Sequence, residues 1–125
     1  SLDNRLKAIA PSAPFLCDYP DYFVLAGWPG DPIEAAAKEA GMSEEEMFKV
    51  LSYFDIKNLT DRIQCPVLMA IGLQDTVCPP HTNFAGYNHI TAEKSWICYP
   101  EAGHNVWQQK EWEPAKYSFF ENYNN

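Results

Sequence analysis

The sequence predicts an α/β fold with a mostly parallel sheet flanked by helices, and it reads as one incomplete piece of a larger sheet. Three observations predict this. Short apolar runs alternate with helical stretches in the order strand, helices, strand, helix, strand, helix, the alternation that crossover connections impose on a parallel sheet. The run over 66–72 is apolar at nearly every position, as a strand covered on both faces must be. Three parallel strands alone would leave a wide edge and part of a core face bare. Residues 1–125 are therefore expected to form a single but incomplete domain.

The elements follow in order. Strands are expected at 6–10, 66–72 and 95–99, where apolar residues cluster. Asp31-Pro32 suits an N-cap followed by proline at the first helical position, giving a helix over 33–40 that Gly41 ends. Gly27-Trp28-Pro29-Gly30 reads as a loop. Ser43-Glu44-Glu45-Glu46 is a capping box, and Met47, Val50, Leu51 and Phe54 then share one helical face and are expected to face the core. Further helices are expected over 82–89 and 113–123, the second with Pro114 in its first turn and Tyr117 and Phe120 packed inward.

Composition narrows the function. The chain is 46% hydrophobic, enough for a core at 125 residues, and carries a net charge of −8. An acidic chain without a basic stripe argues against nucleic acid and against anionic membrane surfaces. Cys17, Cys65, Cys78 and Cys98 form no C-x-x-C pair and sit in or beside apolar runs, so free thiols and a reducing, cytoplasmic setting are expected. No signal peptide and no run long enough to span a bilayer is visible.

Chemistry in an open α/β sheet collects just beyond the C-terminal ends of strands. Asp75 follows the second strand, in Gly72-Leu73-Gln74-Asp75-Thr76-Val77-Cys78-Pro79-Pro80. His104 follows the third, in Tyr99-Pro100-Glu101-Ala102-Gly103-His104. Loops leaving the same ends of neighbouring strands can bring a carboxylate and an imidazole together. A carboxylate on Nδ1–H fixes the tautomer, so that the other nitrogen can take a proton from a nucleophile. The order acid, then histidine, is that of α/β-hydrolases, in which a Gly-x-Ser-x-Gly elbow lies upstream of both. No serine of this chain has that flanking pattern.

Six stretches resemble the acetyl xylan esterase and cephalosporin-C deacetylase family: Pro14-Phe15-Leu16-Cys17-Asp18-Tyr19, residues 51–59, 62–69, 72–80 and 83–88, and Tyr99 to His104. Together with a family-like start near residue 2 they cover most of the chain, to residue 104. The resemblance implies the C-terminal portion of an α/β-hydrolase that removes acetyl groups from carbohydrates such as xylan or xylo-oligosaccharides. It implies Asp75 as triad acid, His104 as triad base, no metal or organic cofactor, an acetylated sugar as substrate and a homo-oligomeric parent. The family's nucleophilic serine lies just before the segment resembling residues 2–8, and its oxyanion-hole groups also fall outside this chain. The 125 residues alone are thus expected to be inactive. Residues 105–110 match the family poorly.

Other readings stand beside this one. The chain could serve as a non-catalytic binding or interaction module, exchanging strands through an open sheet edge. Cys78, His81 and His104 could surround a zinc ion, although a fourth ligand is not visible. Cys78 is otherwise expected to pack under Pro79 and Pro80, with His81 and His89 on an exposed helix face. Cys17 could act as a nucleophile with His104 or be a buried thiol. Trp28 could cover an acyl pocket or simply pack.

Overall fold

The structure, a computed structural model, describes residues 3–124. Five helices and two strands follow one another: α1 (Tyr19–Ala26), α2 (Gly30–Glu39), α3 (Glu44–Leu51), β1 (Val67–Gly72), α4 (Pro80–His89), β2 (Lys94–Tyr99) and α5 (Trp112–Glu121). Short 3₁₀ turns occupy Ile56–Asn58, Thr60–Arg62 and Val106–Gln108. β1 and β2 pair in parallel, in register from Val67 opposite Lys94 to Gly72 opposite Tyr99.

The strand expected at 6–10 is displaced toward the C-terminus and is not regular. Leu6 is exposed. Parallel bridges instead join Ile9 to Val67 and Ser12 to Ala70. The Ile9 N–H donates to the Pro66 carbonyl (3.0 Å), the Leu68 N–H to Ile9 (3.0 Å), the Ala70 N–H to Pro11 (3.0 Å) and the Ala13 N–H to Ala70 (3.1 Å). The rung this ladder lacks is the one a residue 11 N–H would give to Leu68, and Pro11 has no N–H. β1 is thus the middle of three parallel segments, and among the described residues nothing pairs with the outer side of 9–13.

All six residues of β1 are buried, because alternate side chains enter two cores. Leu68 and Ala70 pack with Ala13, Cys78, Ala102, Val106 and Trp112. Val67, Met69 and Ile71 pack with Ile63, Tyr87 and Ile90, under α4. A third cluster, Tyr19, Tyr22, Phe23 and Met47, joins α1 to α3. No helix among the described residues is long and apolar enough to cross a membrane.

The helices depart from expectation in instructive ways. α1 is unanticipated. Asp18 precedes it in a left-handed conformation (φ 59°), and no side chain of the helix caps it. The buried Asp55 carboxylate does so from a distance, accepting the N–H groups of Asp18 (2.9 Å) and Tyr19 (3.0 Å) and that of Lys57 (2.9 Å). α2 begins at Gly30, so Asp31 lies inside the first turn and is not the N-cap. It ends as expected at Gly41 (φ 72°). There the Gly41 N–H donates to Lys38 (3.1 Å) and the Met42 N–H to Ala37 (2.9 Å), a Schellman arrangement. The Ser43–Glu46 capping box forms as read. Of the stripe behind it, Met47 is buried but Val50 and Phe54 are exposed, as is Tyr117 on α5.

Candidate active site

Asp75 lies three residues beyond β1, and its carboxylate is almost completely enclosed, with 1% of the side chain exposed. One oxygen, Oδ1, accepts the backbone N–H groups of Val77 and Cys78, both at 2.8 Å. The other, Oδ2, lies 3.0 Å from Nδ1 of His104. A carboxylate only accepts, so Nδ1 carries the proton and Nε2 is left with its lone pair. The His104 side chain is 36% exposed, which leaves that nitrogen accessible. The two residues singled out on sequence are thus brought into direct contact.

The backbone fixes this meeting. The Leu73 N–H donates to Tyr99 (3.1 Å) and the Gln74 N–H to Ala102 (2.9 Å), while the Gln74 amide donates to the Pro100 carbonyl (3.2 Å). These bonds lace the Asp75 loop to the His104 loop. Gly72 permits the closeness, since a Cβ there would lie 2.5 Å from the Gly103 oxygen and 2.7 Å from that of Ala102.

Tyr22 of α1 supports the acid loop, its hydroxyl donating to the Val77 carbonyl at 2.6 Å. Burial, then the nearby Cys78 and Asp75, pushes this phenol up to about 12. The Tyr22 ring meets Phe15 edge-on, and Phe15 stacks on Trp28 with centroids 5.8 Å apart. Trp28 is largely exposed. On the other side, Trp107 meets the His104 ring edge-to-face at 5.2 Å. Neither the Tyr22 support nor the Trp107 contact was anticipated. A tyrosine far off in sequence carries no signal, and Trp107 lies in the stretch the sequence left unread.

The competing sites resolve differently. Cys78, His104 and Asp75 have donor atoms all within 4.8 Å of one another, whereas His81 belongs to a separate group with the exposed Asp21 and the buried Asp18. Its Nε2 contacts Asp21 at 2.6 Å. The trio Cys78, His81 and His104 is therefore not assembled. In the trio that does assemble, the Asp75 carboxylate accepts from two N–H groups and faces the imidazole, and burial, with the Asp75 charge, pushes the Cys78 thiol up to about 11. Cys17 is no nucleophile. It is buried against Gly86 of α4, where a Cβ would come within 2.6 Å of its sulfur. Burial first, then Asp55 and Asp18, pushes its thiol up to about 12. It lines an apolar hollow of about 320 Å³ with Ile9, Pro11, Ile63, Val67 and Met69, a cavity that neither Asp75 nor His104 reaches.

The chain matches the acetyl xylan esterase (AXE1) family over residues 1–122. The acetyl esterase Axe7A of Xylanibacter ruminicola is 33% identical over 101 residues, which are 79% of this chain and 22% of that protein. The acetyl xylan esterase from Paenibacillus sp. R4 superposes with a TM-score of 0.86 at 37% identity, covering 98% of this chain and 39% of that one. Acetyl xylan esterase 1 from Thermoanaerobacterium sp. JW/SL YS485 gives 0.84 at 33% identity, covering 97% and 39%. The fold is that of a portion of an α/β-hydrolase, and the chain spans well under half the length of these relatives.

Proposed function

The chain belongs to the acetyl xylan esterase family, and from that premise we propose that the intact protein is a carboxylic ester hydrolase removing acetyl groups from acetylated carbohydrates such as xylan or xylo-oligosaccharides. The observation that carries the reading is the enclosed Asp75 carboxylate 3.0 Å from His104 Nδ1. In this reading Asp75 holds the imidazole tautomer and stabilises the imidazolium. His104 Nε2 takes the proton of a serine hydroxyl as that oxygen attacks the acetyl carbonyl, then returns it to the departing sugar oxygen. Water, activated by the same imidazole, releases acetate from the acyl-serine. The serine is supplied from outside these 125 residues, because none of Ser1, Ser12, Ser43, Ser52, Ser95 and Ser118 sits in an elbow sequence. This chemistry requires neither a metal nor an organic cofactor.

The test is hydrolysis of p-nitrophenyl acetate and of acetylated xylo-oligosaccharides by the intact protein. His104→Ala and Asp75→Asn are each expected to lower kcat by roughly 10³- to 10⁴-fold. Wild-type rates in either variant would sink the assignment. No esterase activity in the intact wild-type protein would favour the binding-module reading instead.

A further inference from the structure

We propose that Trp107 is a positioning residue for His104: its indole walls one side of the imidazole, holding the ring in line with Asp75 and keeping water from their hydrogen bond. The inference rests on the reading of His104 as the general base.

A single hydrogen bond fixes one atom of a histidine. It leaves the ring free to swing about the terminal torsion, which has a broad, roughly two-fold profile. His104 is open to this, because 36% of its side chain is exposed while its partner Asp75 is sealed. Trp107 supplies the second restraint. Its ring centroid lies 5.2 Å from that of the imidazole, at an interplanar angle of 87°, a favourable arrangement for two aromatic rings.

The backbone holds the indole where it is. Val106, between the two rings in sequence, is fully buried, and its N–H donates to the His104 carbonyl at 3.0 Å. With Val106 anchored in the core and the chain turning through the 3₁₀ segment Val106–Gln108, residue 107 is carried back over residue 104. Core packing does not account for the indole, which is 42% exposed, whereas Trp112 five residues later is 1% exposed. An exposed indole whose aromatic contact is the imidazole has its effect there. Excluding water from that side strengthens the Asp75–His104 bond by lowering the local dielectric.

The experiment compares Trp107→Ala, Trp107→Phe and His104→Ala in the intact protein, with p-nitrophenyl acetate as substrate and thermal melts as the check on folding. Trp107→Ala is expected to lower kcat by about twofold to tenfold with KM unchanged, and Trp107→Phe to restore most of it. The low-field NMR signal of the His104 Nδ1–H, which reads the ring independently of turnover, is expected to broaden in Trp107→Ala and persist in Trp107→Phe. A rise in KM at constant kcat would make Trp107 a substrate contact and overturn the proposal. So would unchanged kinetics with a sharp Nδ1–H signal in Trp107→Ala. Should His104→Ala keep its activity, the general-base reading fails and this inference with it. Should His104→Ala be inactive while Trp107→Ala behaves as wild type, only the positioning role fails.

Discussion

Replacing Gly72 by Ala adds one carbon, and the structure specifies what that carbon meets. It would lie 2.5 Å from the Gly103 carbonyl oxygen, 2.7 Å from that of Ala102 and 2.7 Å from Cγ1 of Val106. Two of the three obstacles are backbone, and the third belongs to a fully buried side chain, so no rotamer change relieves the clash. Reaching an ordinary contact of about 3.4 Å requires the 102–104 loop to retreat by about 0.9 Å (3.4 − 2.5). A retreat of that size takes the 3.0 Å Asp75–His104 bond and the 2.9 Å Gln74–Ala102 bond beyond hydrogen-bonding range. Overpacking plus lost hydrogen bonds amounts to roughly 2–4 kcal/mol. Urea unfolding followed by tryptophan fluorescence is the assay, and a midpoint lowered by roughly 1–2 M is expected. The same variant should lose the low-field Nδ1–H signal of His104 even under conditions where it remains folded. A midpoint and a signal both equal to those of wild type would refute the claim that Gly72 sets the distance between the two loops.

Two further outcomes follow from buried groups. Asp55→Ala leaves three buried or half-buried N–H groups, those of Asp18, Tyr19 and Lys57, without their acceptor. It also leaves α1 uncapped. A loss of roughly 2–4 kcal/mol in urea unfolding is expected, with faster amide exchange over residues 18–23; unchanged exchange there would be the contrary result. The second concerns pH. The thiols of Cys17 and Cys78 are held at about 12 and about 11 in the folded chain, above the 9.0 of a free thiol. Unfolding therefore releases protons from both above pH 9, so stability is fully present below pH 9 and falls as pH rises through the folded values. The unfolding midpoint should decline from pH 9 upward, and less steeply in Cys17→Ala; equal slopes in the two proteins would contradict this.

What the sequence made legible was what one segment decides for itself. β1 was readable because burial on both faces leaves no polar position in it, and the capping box because both partners lie within one turn. Asp75 and His104 were readable because strand ends place reactive loops. α1 was not, because Val24 and Leu25 are apolar yet exposed and blur the spacing of the buried Tyr19, Tyr22 and Phe23. Its cap, Asp55, also lies 37 positions from Asp18. Val50, Phe54 and Tyr117 show the limit of periodicity, which says that residues share a face but not that anything covers it. The strand near residue 9 was misplaced for a different reason. Pro11 looks like a terminator, but the parallel ladder needs its carbonyl, which proline keeps, and the lost N–H costs only one rung.

The precision of the candidate site comes from backbone more than from side chains, which explains why its two residues stood out in the sequence and its geometry did not. Asp75 has two oxygens, and Oδ1 is occupied by the N–H groups of Val77 and Cys78. Only Oδ2 is directed at the imidazole, so the carboxylate cannot rotate to follow His104 without breaking two charge-assisted bonds. The histidine must therefore come to the aspartate. It is brought there by the Leu73–Tyr99 and Gln74–Ala102 bonds, across a gap that only a residue without a Cβ at position 72 leaves open. A sequence displays the acid and the base as residue types. The glycine that sets their separation looks like any other glycine at a strand end until the opposing carbonyls are placed beside it, and Trp107 meets His104 only across a fold in the chain three residues long.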